Sequence, residues 1–146
     1  MTNTAWWRDT ILSAGSIFVP TGSGRVGFVD PADIGAVAAK VLTTEGHHGH
    51  TYRITGPEAL STADIAAVLS EVLGRPVAHV DVPPEAFRSG MEQAGLPPFL
   101  IEMQVEYCAA VADGVVDIVS PDVPNLLGRP ATDYRSWAQA HADVFG

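Results

Sequence analysis

The stretches GRVGFVDPADIGAVAAKVL, Gly24–Leu42, and TYRITGPEALSTADIAAVLSEVLGRP, Thr51–Pro76, decide the fold. In the first, Ile34, Val37, Ala38, Val41 and Leu42 recur at i, i+3, i+4, i+7 and i+8, which puts all five on one face of a helix beginning after Asp30-Pro31. In the second, Ile65, Val68, Leu69, Val72 and Leu73 repeat that spacing. Ser61 with Asp64 three residues on is a variant of the capping box, and Gly74 before Pro76 is a stop signal. Short β-rich runs flank these helices at Ser16–Val19, Val26–Val29, Thr51–Thr55 and Val77–Val82. The order strand, helix, strand, helix, strand predicts an α/β fold, a small mixed sheet with amphipathic helices and right-handed crossovers. Further helices are expected at Pro84–Ala94, Pro98–Ile118 and Asp133–Phe145, with NLLGRP from Asn125 as a loop.

Length and charge narrow the function classes. A chain of 146 residues fits one domain, residues 1–146, and buries roughly 68–70% of its unfolded surface. Seventeen acidic against eight basic residues give a net charge of −9 with no basic cluster. Phosphate contacts would meet a repulsive field, which argues against nucleic acid as a partner. Cys108 is the only cysteine, so no internal disulfide is expected and a reducing, cytoplasmic compartment is. Its thiol is read as a small core residue. No apolar run approaches the ~20 residues that span a bilayer, so no membrane partner is expected. The apolar ILSAGSIFV follows Arg8 and Asp9 without the cationic region or cleavage pattern of a signal peptide.

The two quoted stretches resemble the second half of NmrA-like proteins, the atypical short-chain dehydrogenase/reductase branch whose first half is a dinucleotide-binding Rossmann unit. The resemblance runs from about Asn3 to Phe145. It implies a single C-terminal domain equivalent to the latter half of an NmrA-like fold, the half that completes the sheet edge and builds much of the substrate pocket. The Rossmann half lies outside the resemblance. Neither the family's glycine-rich nucleotide loop nor a lysine or tyrosine motif of short-chain dehydrogenases is matched, so the resemblance supplies no catalytic residue, no cofactor-binding residue and no cofactor.

Gly22, Gly24 and Gly27 in GSGRVG nevertheless satisfy GxGxxG literally. That fingerprint holds pyrophosphate when it follows a strand and opens a helix, whose N-terminal amides and dipole face the anion. Here the glycines lead into the β-rich VGFV, and a turn between SIFV and VGFV accounts for Gly22 and Gly24 without a ligand. GHHGH, Gly46–His50, offers three imidazoles but no neighbouring carboxylate or thiol at ligand spacing, so a surface loop and no metal is expected. On the helix from Pro98, Glu102, Glu106 and Asp113 form an acidic stripe expected to be solvated. Phe99, Met103, Tyr107 and Val111 form an apolar one. His141 is expected to be packed and hydrogen-bonded among Tyr134, Trp137, Val144 and Phe145, and His79 to sit on a half-exposed strand.

The ligand-pocket candidates are Met103 and Tyr107 as a wall with one phenolic handle, and Trp6 and Trp7 near its mouth. Together these features lead to a small-molecule binding domain for an apolar metabolite that has lost autonomous nicotinamide redox chemistry, with a cofactor-independent isomerase or cyclase as a compatible activity. The resemblance implies two alternatives. One is part of an NAD(P)H-dependent oxidoreductase whose nucleotide-binding half is missing or on another chain, and the other is an NmrA-like regulatory protein acting by protein contacts. Apolar faces and strand edges that the other half would cover predict a homodimer or a covering partner.

Overall fold

The capping box at Ser61 forms as the sequence predicts. In the computed structural model, which describes residues 1–145, the Asp64 N–H donates to the Ser61 Oγ at 3.1 Å and the Ser61 N–H donates back to Asp64 Oδ2 at 2.9 Å. They start helix α3, Thr62–Leu73, which Gly74 ends in the left-handed conformation at φ 64°. The chain before it runs through a 3-10 turn, Thr2–Trp7, then α1 (Arg8–Ala14), β1 (Ser16–Phe18), β2 (Arg25–Val26), α2 (Pro31–Thr43) and β3 (Leu60–Ser61). After α3 come β4 (Ala78–Val80), α4 (Pro84–Gln93), α5 (Pro98–Ala112), α6 (Asp122–Leu127), α7 (Tyr134–Ala140) and a 3-10 turn at Ala142–Phe145.

The class is α/β, with its strands in two separate ladders. β1 pairs parallel with β4, Ile17 opposite His79, and β2 pairs antiparallel with β3, Val26 opposite Leu60. The expected turn at Gly22 is present, with the Gly24 N–H donating to the Thr21 carbonyl at 2.9 Å, but it links two ladders instead of closing a hairpin. The run Thr51–Thr55 is not a strand. Its backbone is served from the side by a later segment: the Arg53 N–H donates to Asp122 Oδ2 at 2.6 Å, and Thr55 Oγ1 accepts from the Ser120 N–H at 2.9 Å. Asn125–Leu127, expected as loop, closes α6. Pro124 sits in its first turn, where a missing N–H costs nothing, and Val123 is driven under α2. The helix from Pro98 stops at Ala112 because Gly114 follows at φ 74°, and the last one breaks at His141 before its 3-10 end.

α3 is the axis of the main core. Its Ile65 and Leu69 are fully buried against Ile17, Val77, Trp137, Ala138 and Phe145, each contributing about 1.5–3 kcal/mol. Val68, Val72 and Leu73 complete the predicted face as half-buried neighbours. The α2 face behaves differently. Only Val37 is buried, in a small second core with Val123 and Ala131, while Ile34, Ala38 and Leu42 stay exposed. What seats α2 is Asp33, a residue the hydrophobic pattern ignores, whose Oδ2 accepts the Thr132 N–H at 2.7 Å and whose Oδ1 lies 2.7 Å from the Arg129 guanidinium.

Burial alone would push Asp33 up, but the Thr132 amide and Arg129 outweigh it and hold the carboxyl below the usual range. The Ser61 amide and hydroxyl lower Asp64, and the Ser136 amide and hydroxyl lower Asp133. A carboxyl whose folded value is depressed stabilises the fold fully above its unfolded value and loses that contribution as pH falls through the folded one. The urea midpoint is therefore expected to hold from neutrality down to about pH 4.5 and to drop below it, where unfolded carboxylates protonate first. Asp64→Asn should lower the plateau and flatten the drop. A midpoint that is constant to about pH 2.5 would contradict these assignments.

Candidate functional site

Helix α5 carries its apolar residues on two sides. Ile101, Cys108 and Val111 face inward and are buried, whereas Phe99, Met103 and Tyr107, spaced by four, stand in an exposed row. Exposures of 69%, 50% and 46% rule out the ordinary-core reading for that row within this chain. Val111, grouped with them by spacing, belongs to the inward side. Partial burial, with a smaller effect from Cys108, pushes the Tyr107 phenol above its usual range, so at neutral pH it is a hydroxyl able to donate. The Cys108 thiol is pushed up to about 11 by burial, which leaves it a core residue with negligible thiolate.

The acidic stripe is exposed as expected, and one member has a specific partner. Arg88 of α4 grips Glu102 with both guanidinium nitrogens, Nη2 to Oε2 at 2.9 Å and Nη1 to Oε1. That pair lowers Glu102 and raises Arg88. Arg88 carries no sequence signal of this role, because its partner lies fourteen residues away across the turn between α4 and α5.

The other two pocket candidates sit elsewhere. Trp6 is 58% exposed in the N-terminal 3-10 turn, and Trp7 is half-buried against the main core. Below them the buried Thr4 hydroxyl donates to the Met1 carbonyl at 2.7 Å and lies 2.9 Å from the Tyr134 hydroxyl. Burial raises that phenol, with Thr4 partly offsetting it. One shallow depression of the surface is lined by Pro20, Asp81 and Pro84, and another by Pro57, Val119 and Pro130. None of Trp6, Trp7, Met103 or Tyr107 lines either.

The histidines are placed by local bonds. His141 caps α7, its Nδ1–H donating to the Trp137 carbonyl at 2.8 Å while its ring stacks on the indole at 4.8 Å. His79 donates from Nε2 to the Val19 carbonyl at 3.0 Å, on a strand whose Val80 is 38% exposed. His47 lies between Thr44 Oγ1 at 2.9 Å and the Tyr52 hydroxyl at 2.8 Å, and His50 stacks on Tyr52. Among the described residues no group of three or more His, Cys, Asp or Glu side chains is placed to hold a metal ion.

The GSGRVG glycines are structural, for a reason finer than a turn. Gly22 takes φ 51°, but Gly24 and Gly27 are needed for close approach. A Cβ on Gly24 would lie 2.0 Å from the Val111 carbonyl oxygen at the end of α5, and one on Gly27 would lie 2.5 Å from that of Ile118. At Gly24 and Gly27 the chain itself fills the side a Cβ would take, and no helix opens there. The loop lacks the helix N-terminus through which that fingerprint holds pyrophosphate.

No protein-family model matches the sequence. The chain is 38% identical over all 146 of its residues to an NAD(P)H azoreductase from Xenophilus azovorans, 51% of which it covers. It is also 38% identical over 145 residues to a (4-alkanoyl-5-oxo-2,5-dihydrofuran-3-yl)methyl phosphate reductase from Streptomyces griseus, again covering 51%. Its fold superposes on a triphenylmethane reductase from Citrobacter with a TM-score of 0.82 at 30% identity, over 93% of this chain and 47% of that one. The chain corresponds to a C-terminal half of the NmrA-like family. An NADPH-dependent quinone oxidoreductase from Escherichia coli matches this NmrA-like half with a TM-score of 0.88 at 25% identity, over 97% of the chain and 51% of the enzyme. The chain thus spans about half the length of the curated relatives it matches. No helix of the described residues is long and apolar enough to cross a membrane.

Proposed function

We propose that this NmrA-like half is the acceptor-binding side of an NAD(P)H-dependent oxidoreductase, acting with a nucleotide-binding half, and that it works in the cytoplasm. The observation that carries this reading is the match along the whole chain to half of an NAD(P)H reductase at 38% identity. It supports the oxidoreductase alternative over a stand-alone domain that has lost redox chemistry. The exposed row Phe99, Met103, Tyr107 is the surface this half contributes, with two aromatic rings, a thioether between them and one hydroxyl. Such a surface suits a planar apolar acceptor, a quinone or azo compound, lying along α5 and oriented by the phenol.

The test is a fusion placing the nucleotide-binding half of the azoreductase ahead of this chain, assayed for acceptor-dependent NAD(P)H oxidation. Turnover is expected from the fusion and from neither half alone. In the fusion, Tyr107→Phe should raise KM roughly two- to tenfold through one lost neutral hydrogen bond, and Met103→Trp should block the acceptor while circular dichroism stays unchanged. A fusion that folds, binds nucleotide and reduces no acceptor would defeat the proposal. The same half covers the exposed row in this reading. Light scattering of the chain alone near twice its 15.4 kDa mass would instead make a homodimer the covering state.

A further inference from the structure

We propose that α4 is a hinged flap, latched to α5 by the Arg88–Glu102 ion pair, which opens and closes along the border of the exposed Phe99–Met103–Tyr107 row. Its role over a ligand rests on the acceptor-binding reading above, whereas its mobility does not.

No residue of α4 is buried, a distinction it holds over every other α-helix of the described residues. Among the described residues its tie to the main core is the half-buried Phe87 in its first turn, close to the Pro83-Pro84 pair that leads in. The far end leaves through Ala94 and Gly95, the latter at φ 75°, into Pro97-Pro98 at the start of α5. Proline pairs are stiff and donate no backbone hydrogen bonds, so the helix hangs between two rigid struts with a glycine joint at one of them. Gly90 lies inside α4, and a Cβ there would meet nothing within 4 Å, so no packing demands a glycine and it only loosens the helix.

The latch lies at the row itself. Glu102 stands three residues after Phe99, one turn along the same side of α5, so the grip of Arg88 on its carboxylate brings α4 to the Phe99 end of the row. The pair is largely solvent-exposed, with side chains 35% and 56% accessible, and is therefore a weak tie. Releasing it leaves Arg88 with carboxylates on its own helix, since Glu85 and Glu92 lie three and four residues away and both act on its charge. Closed and open positions each offer the guanidinium a partner, which keeps the difference between them small.

Hydrogen–deuterium exchange on this chain alone tests the flap and has no reductase readout, so its failure and that of the oxidoreductase reading are separable. Amides of Phe87–Gln93 are expected to exchange at least about tenfold faster than those of α3. Glu102→Gln, or about 0.5 M salt on the unaltered protein, should speed α4 about two- to fivefold while leaving α3 and α7 unchanged. Gly90→Ala, which meets no neighbour, should slow α4 about four- to fivefold. Protection of α4 equal to that of α3, or rates indifferent to both substitutions, would overturn the proposal.

Discussion

Gly24→Ala is expected to destabilise the protein by at least about 3 kcal/mol, lowering the thermal midpoint by about 10 °C or more. The new Cβ would sit 2.0 Å from the Val111 carbonyl oxygen, 2.5 Å from its carbon and 3.0 Å from the Ala112 nitrogen. All three are backbone atoms at the end of α5, so no rotamer change relieves the clash; the loop or the helix has to move. Moving α5 disturbs Cys108 and Val111, which it buries. Two other glycines calibrate the result. Gly22→Ala meets open space but holds φ 51°, a cost of about 1–2 kcal/mol, and Gly35→Ala, open and inside α2, should stabilise by up to about 1 kcal/mol. Thermal unfolding followed by circular dichroism ranks the three. If Gly24→Ala melts with the unaltered protein, the GSGRVG loop is not seated on α5, and its dismissal as a nucleotide loop loses its structural ground.

Asp33→Ala should cost about 2–4 kcal/mol. The side chain is fully buried, and removing it strands the Thr132 amide and takes the partner from Arg129. Loss of one member of a buried pair is ordinarily severe, but Arg129 is about half exposed and can turn to water, which keeps the figure below the top of that range. The effect should spread to α6 and the segment around Ala131, because Val37, Val123 and Ala131 share the small core that Asp33 anchors. Asp33→Asn keeps the acceptor for Thr132 and loses the charge, so it should fall between the two. Chemical denaturation gives the order directly; an Asp33→Ala variant within about 0.5 kcal/mol of the unaltered protein would mean that α2 is held by its apolar face after all.

That last contrast marks how far the hydrophobic pattern carries. α2 and α3 have the same spacing, and both form. α3 buries its face because β1, β4, α7 and the final 3-10 turn all pack on it, whereas α2 packs mainly on α6 and leaves Ile34 and Leu42 in solvent. Periodicity records which residues share a face, not whether anything covers it. The same limit governs α5, where Phe99, Met103 and Tyr107 read equally well as core or as pocket until their exposure is seen. Arg88 and Asp33, the two charged residues that organise α4 and α2, were invisible for a related reason: their partners, Glu102 and Arg129, lie fourteen and ninety-six residues away.

By itself the sequence determined the local chemistry. Ser61 with Asp64 had to start a helix and Gly74 to end one, because side-chain oxygens satisfy free amides and a glycine accepts a positive φ whatever surrounds them. It also determined that GSGRVG opens no helix, and so holds no pyrophosphate in the way that fingerprint works. Only the tertiary structure decided that the strands form two ladders, that Pro124 begins a helix over a buried Val123, and that Gly24 and Gly27 exist for the carbonyls of Val111 and Ile118. Strand pairing, burial and close approach depend on which distant segments arrive, and that is settled by packing free energy summed over the whole chain.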